Sequence, residues 1–207
     1  MSALRFSSLI ILFPILFAAC GRSELIRIRM LAPVTEDKKD YAIFTDTEST
    51  ITPVIINKQN GGSLYFLFKS IGLGYTTITT KMEKADKNLT EKTILVTNFA
   101  DVAFGIGENY SFMWGAGVLS GGKMETSLNS FNPKNNYLGG HSIFFVLGHH
   151  GFGFETLLGY RTNFIKAEFE EIGLPSTVGK TDENFTYESN KINLTTSQVQ
   201  LGIGFTF

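Results

Sequence analysis

Apolar residues recur at every second position along most of this chain, and no sustained helical periodicity appears after residue 21. A period of two means strands with two unlike faces, which leaves barrels and sandwiches as the available folds. The clearest instance closes the chain. Over 190–207, Val199, Leu201, Ile203, Phe205 and Phe207 share one face, while Gln198, Gln200, Gly202, Gly204 and Thr206 share the other. Residues 152–170 repeat the logic, with Phe154, Leu158 and Tyr160 opposed to Glu155, Gly159 and Arg161. Residues 100–106 set Val102 and Phe104 against Asp101, and 112–118 set Phe112 and Trp114 against Gly115 and Gly117. Residues 63–81 read as one strand, with Ile71, Leu73 and Tyr75 on its apolar face. In 137–148, Ile143, Phe145 and Leu147 compete with Phe144 and Val146, and a slip of one residue inverts the face.

The connections alternate in length. Glu108-Asn109-Tyr110 and His149-His150-Gly151 are tight, whereas 82–90, 127–136 and 172–189 are longer and polar. Short turns on one rim and long loops on the other are the layout of an outer-membrane barrel. About six strands run from residue 63 to the end, and 24–57 is expected to supply one further hairpin. Its first strand is Ile26, Ile28 and Met30 alternating with Arg27 and Arg29; its return, over 41–57, contains Pro53, which lacks a ladder donor. That makes about eight strands, the smallest barrel whose interior side chains fill comfortably.

The first residues have another purpose. Arg5 precedes an apolar run, and Ala18-Ala19-Cys20 follows it, the layout of an export signal over 1–19. The run is too short for a spanning helix, which needs about 20 residues. Residues 20–207 then form one barrel domain, with 20–62 the least defined part. Phe17-Ala18-Ala19-Cys20 resembles a bacterial lipobox, although Phe stands where Leu is usual; this resemblance implies lipidation of Cys20. The alternative is ordinary secretion with Cys20 discarded.

Composition narrows the class. A net charge of −1 gives no electrostatic case for nucleic acid, and a single Cys rules out an intrachain disulfide framework. Nineteen Phe suit a lipid-facing band with aromatic girdles. The residues 63–207 resemble the small outer-membrane β-barrel proteins of the OmpX/OmpA/OmpW-like group, most specifically through the terminal strand Val199, Leu201, Ile203, Phe205, Phe207. The resemblance implies an all-β, antiparallel up-and-down transmembrane barrel in a bacterial outer membrane. It also implies that the terminal strand is read by the barrel-assembly machinery. A soluble lipocalin-like barrel or sandwich is the alternative fold.

Arg27, Arg29, Asp101, Glu155, Arg161, Gln198 and Gln200 fall on inward faces and must find partners in a narrow lumen. Arg27 and Arg29 are the cations available to Glu155, and Asp101 is the anion available to Arg161. A structural network is the favoured reading; a selective pore or gate is the alternative. The inward glycines, among them Gly72, Gly74, Gly105, Gly115, Gly117, Gly153, Gly159, Gly202 and Gly204, leave room for a cavity or a flattened wall. His141, Ser142 and Glu155 invite comparison with the lipid A deacylases, barrels with a His-x-Ser pair and a downstream Glu. Here His141 and Ser142 are adjacent and so face opposite sides, and Ile143 stands where that pattern wants Ser. His149 and His150 diverge at a turn with no nearby thiol or carboxylate, so no metal or cofactor is expected.

The expected function is a small outer-membrane barrel without catalytic activity, acting structurally or through outward loops at 82–90, 127–136 and 172–189. The alternatives are a narrow porin-like transport or ligand-binding barrel and, more remotely, a barrel-surface lipid hydrolase. Its expected partners are outer-membrane lipid, the assembly machinery and an extracellular partner at the loops. Metabolic labelling with a palmitate analogue is expected to mark the wild-type chain and not Cys20→Ala. An unlabelled wild type would remove the lipid anchor while leaving the barrel in place.

Overall fold

The computed structural model describes residues 26–34, 45–46, 54–85, 90–128, 134–151, 153–169, 185–186 and 191–207. The signal segment 1–19 and Cys20 lie outside them. The strands are β1 (Ile26–Pro33), β2 (Thr45–Asp46), β3 (Val54–Phe68), β4 (Ile71–Ala85), β5 (Thr90–Gly107), β6 (Tyr110–Leu128), β7 (Asn135–Gly151), β8 (Phe154–Phe169), β9 (Phe185–Thr186) and β10 (Lys191–Thr206). Eight of them close into one antiparallel barrel in the order β1-β10-β8-β7-β6-β5-β4-β3, and β2 pairs with β9 in a separate two-stranded sheet.

Closure runs through the shortest barrel strand. β1 pairs with β10 from Arg27↔Thr206 to Pro33↔Gln200 and with β3 from Ile26↔Phe68 to Leu31↔Ser63. Ile26 and Phe207 exchange backbone hydrogen bonds at 3.1 and 2.9 Å, so the last residue is part of the seam. Both ends of the described barrel therefore share a rim with the turns at 69–70, 108–109 and Gly153. The longer connections 86–89, 129–134 and 170–190 leave from the other rim, as does the segment that carries β2.

The first hairpin is drawn differently from the sequence reading. Of the return strand expected over 41–57, residues 45–46 form β2 and 54–57 open β3, the rest lying outside the described residues, and residues 63–81 are not one strand but parts of two. The break is a turn at Lys69–Ser70, where Lys69 takes a φ of 55° without being glycine or asparagine, and so leaves no turn signal in the sequence. Pro53 lies outside the described residues. Strands also run deeper into the expected loops: β4 reaches Ala85, β5 restarts at Thr90, and β6 continues to Leu128.

The two halves of the wall have opposite exteriors. On the turn side, Leu64, Phe66, Leu73, Phe145, Leu158 and Leu201 point outward, 44 to 69% exposed. In β7, Ile143, Phe145 and Leu147 are outside and Phe144 and Val146 inside. On the loop side the outward positions become Lys81, Lys92, Lys123, Glu125 and Lys166. A strand needs about 9–11 residues to cross a bilayer, so 18-residue β5 and 19-residue β6 extend well beyond the hydrocarbon.

Deleting Phe207 removes both closing backbone bonds at Ile26 and the last residue of the outward apolar stripe. The truncated chain is expected to reach the membrane at clearly lower yield, read as loss of the heat-modifiable, protease-resistant band. Normal yield would refute a role for Phe207 in assembly.

Candidate functional site

The lumen is built in layers. Nearest the turn rim, Arg29 from β1 meets Glu155 from β8 through a two-pronged contact, Nε to Oε2 and Nη2 to Oε1, each 2.8 Å. Ser111 of β6 completes the group, accepting from Arg29 Nη2 at 2.7 Å and donating to Glu155 Oε1 at 3.1 Å. Arg27 reaches across to donate to the Gly107 carbonyl at 2.8 Å. Above this lies an apolar layer of Leu31, Leu67, Ala103, Met113, Val146 and Leu157, together with Tyr65 and Phe144.

The waist is organised by Arg161. Its Nη1 and Nη2 donate to Asp101 Oδ2 and Oδ1, both at 2.8 Å, and its Nε donates to Asn163 Oδ1 at 3.0 Å. Ser142, Thr76 and the Tyr65 hydroxyl accept further bonds from the same guanidinium. The rings of Phe99 and Phe144 lie 4.7 and 5.3 Å from its carbon, so the cation is flanked by aromatic faces as well as bonded at its edge. Thr76 in turn donates to Asp101 Oδ2 at 2.6 Å. Asp101 and Arg161 are both almost wholly buried. Beyond the waist, toward the loops, comes a second apolar layer that includes Met82, Leu95, Met124, Ile165, Phe169 and Leu194.

The inward residues singled out from the sequence therefore fall into two groups on different levels, with Arg29 on Glu155 and Asp101 on Arg161. Gln200 donates to Ser63 Oγ at 3.3 Å. Gln198 is buried, and its amide makes no hydrogen bond among the described residues. The structure adds Tyr65, Thr76, Ser111, Ser142 and Asn163, which the sequence reading did not assign to the network. The glycines do not open a cavity: neighbouring side chains take their space. A Cβ at Gly117 would collide with Asp101 Oδ1, one at Gly204 would come within 2.7 Å of Glu155 Oε2, and one at Gly115 would strike the Phe144 ring. Gly153 belongs to the β7–β8 turn, with a φ of 86°, and not to a strand interior.

His141, Ser142 and Glu155 are not brought together. His141 is outside, its ring 5.0 Å from Phe164; Ser142 is inside on Arg161; Glu155 is held by Arg29 a layer away. His149 lies against Tyr110, with ring centroids 4.9 Å apart.

Two stretches of the wall are open toward the loop rim among the described strands, one where β3 and β10 outrun the short β1 and one between β6 and β7. β6 and β7 pair from Tyr110↔His149 only as far as Val118↔His141. Beyond that point β6 remains on β5 and β7 remains on β8. Both strands carry a bulge there. Phe99 pairs with Leu119 but Asn98 with Gly121, leaving Ser120 over, and the β7–β8 register shifts between Asn135 and Tyr137. Bulges bend and twist the strand that holds them. Gly122, at a φ of 155°, passes so close to the Val96 carbonyl that a side chain would collide with it. The result is a cleft of about 880 Å³ between the diverging strands.

A closed eight-stranded wall, apolar outside around its turn-side half and ion-paired inside, defines a small membrane-spanning β-barrel. No protein-family model matches the chain, and no curated protein matches it significantly. Among solved structures it is similar to the crystal structure of the outer membrane protein OprG from Pseudomonas aeruginosa, at 12% sequence identity over 90% of this chain and 97% of that one, with a TM-score of 0.42.

Truncating one partner of a buried pair strands the other charge, at a cost of about 3–5 kcal/mol. Glu155→Ala and Asp101→Ala are each expected to lower the unfolding midpoint in detergent clearly. Glu125→Ala, which breaks the exposed pair with Lys123, is expected to cost below about 1 kcal/mol. Equal midpoints for all three variants would show that neither buried pair supports the barrel.

Proposed function

We propose that the protein is a bacterial outer-membrane barrel that conducts no steady ion current, has no catalytic activity, and acts through its loop-side rim on a partner outside the cell. The observation that carries this reading is the waist, where the Arg161–Asp101 pair is closed in by Tyr65, Phe99 and Phe144. An ion crossing the lumen would have to part that pair and the Arg29–Glu155 pair in succession, with apolar layers on either side of the waist. The absence of a shared face for His141 and Ser142 supports the reading against a surface hydrolase. The loops at 82–90, 127–136 and 172–189 are then the surface available to an extracellular partner, and lipidation at Cys20 would hold the periplasmic side to the membrane.

Planar-bilayer recording on the purified wild type is expected to show no large, steady conductance. A stable current whose ion selectivity reverses in Glu155→Lys would overturn this reading in favour of a transport barrel.

A further inference from the structure

The cleft between β6 and β7 combines two chemistries at one level of the wall. Its apolar surface comes from Ile94 and Leu138, with the buried Met124 of the loop-side apolar layer behind Leu138. Its polar surface carries Lys92, Lys123 and Lys134, with Glu125 in the lining and Glu83 paired to Lys92 beside it. The cleft begins directly above Val118, an outward residue of the apolar band that is 62% exposed, and Ile143 lies beside it on the same exterior. It therefore stands where the exterior changes from apolar to charged, the level at which lipid headgroups meet hydrocarbon.

We propose that this cleft is a binding site for an anionic lipid of the surrounding leaflet. One acyl chain lies on Leu138 and Ile94 and continues down over Val118 and Ile143, while the phosphate sits among the three lysines. The present partners of two of those lysines are replaceable. Lys92–Glu83 at 3.1 Å and Lys123–Glu125 at 2.7 Å are exposed pairs, whose net strength in water is small. A lipid phosphodiester matches either carboxylate in charge and in its two anionic acceptor oxygens, so it can take their place between lysines. An acyl chain offers what water cannot, cover for the apolar wall between two strands that no longer pair. The split coincides with the bulge at Ser120 and with the close approach of Gly122 to the Val96 carbonyl, both features of the barrel backbone itself.

The inference rests on the barrel standing in a membrane, and its test keeps the two apart. The folded full-length chain in dodecyl maltoside, checked by heat-modifiability, is titrated with phosphatidylglycerol bearing a fluorescent acyl chain and with the matching phosphatidylcholine. The wild type is expected to bind phosphatidylglycerol about tenfold more tightly, the scale of a few lysines acting on an anionic headgroup. Lys123→Gln combined with Lys134→Gln removes the preference, and Lys81→Gln, outside the cleft, keeps it. Leu138→Trp fills the cleft and weakens both lipids; Ile94→Glu, at an outward position that leaves the lumen untouched, does the same for phosphatidylglycerol. Equal affinity of the wild type for the two lipids, or undiminished phosphatidylglycerol binding in heat-modifiable Leu138→Trp and Ile94→Glu, would overturn the site. A wild type with no heat-modifiable form would overturn the membrane barrel instead.

Discussion

The Arg161–Asp101 pair at the waist dictates much of what surrounds it. A guanidinium taken out of water is tolerated only if its donors are used, and here Asp101, Asn163, Ser142, Thr76 and Tyr65 use them. Those partners come from β3, β4, β5, β7 and β8, so one side chain ties together five of the eight walls. The space the pair needs is made by subtraction. Gly117 lies where a Cβ would meet Asp101, Ser142 and Arg161, and Gly115 gives way to the Phe144 ring that lies against the cation. Glycines in this barrel are the complement of its large inward residues, which is why so many of them leave no void.

The second constraint is closure. In hydrocarbon an unpaired strand edge leaves a row of polar backbone groups without water, so the sheet has to return on itself. It does so through β1, whose eight residues cover only the turn-side half of β3 and β10. That is also the half whose exterior is apolar. Complete pairing is therefore found where lipid demands it, and the β6–β7 split occurs where the exterior is already charged and backbone groups can reach water. Arg29, two residues into β1 from Arg27, fastens the same short strand from the inside through Glu155.

How much of this was legible depends on whether a feature is written in one strand or between two. The alternation in β8 and β10 set Glu155, Arg161, Gln198 and Gln200 on the inward face and Leu201, Ile203 and Phe205 on the outward one, and in the barrel the first four are buried and the last three exposed. The split at Lys69–Ser70 was hidden, because a left-handed lysine carries no composition signal and because Leu64 through Phe68 are five apolar residues in a row, which obscures the change of outward parity from Leu64, Phe66 and Phe68 to Ile71, Leu73 and Tyr75. The facing of β7 was hidden for a different reason. Phe144 and Phe145 are equivalent in their own strand, and the decision comes from β6, where Gly115 opposite Phe144 leaves room for a ring inside while Trp114 opposite Phe145 crowds the exterior. Tyr65 and Ser142 joined the network only once those two assignments were made. Phe99 was accessible all along, since it shares the inward parity of Asp101 on β5, but aromatic residues in a lipid-facing protein are readily assigned to the outside.

The inversion of polarity along the axis gives the two halves different physical tasks. In the turn-side half the exterior is held by lipid, and the inward charges of Arg29, Glu155, Asp101 and Arg161 lie in or next to this half. In the loop-side half the exterior is hydrated, and an apolar interior of Met82, Leu95, Ile165 and Phe169 holds the strands together as in a water-soluble protein. Hydrophobic burial works there because water is the reference on the outside; in the hydrocarbon belt the same inward residues would gain far less, since lipid is as apolar as they are. Buried ion pairs suit the opposite setting, because once the wall is closed their donors and acceptors have no competing solvent. The turn-side half has an apolar layer of its own between its two ion pairs, so charge pairing is added there to apolar packing, whereas the described loop-side interior relies mainly on packing. The bulges at Ser120 and between Asn135 and Tyr137 fall on the hydrated side of the waist. A gap in the ladder is tolerable there at small cost, which makes that stretch of wall free to be shaped by something other than stability.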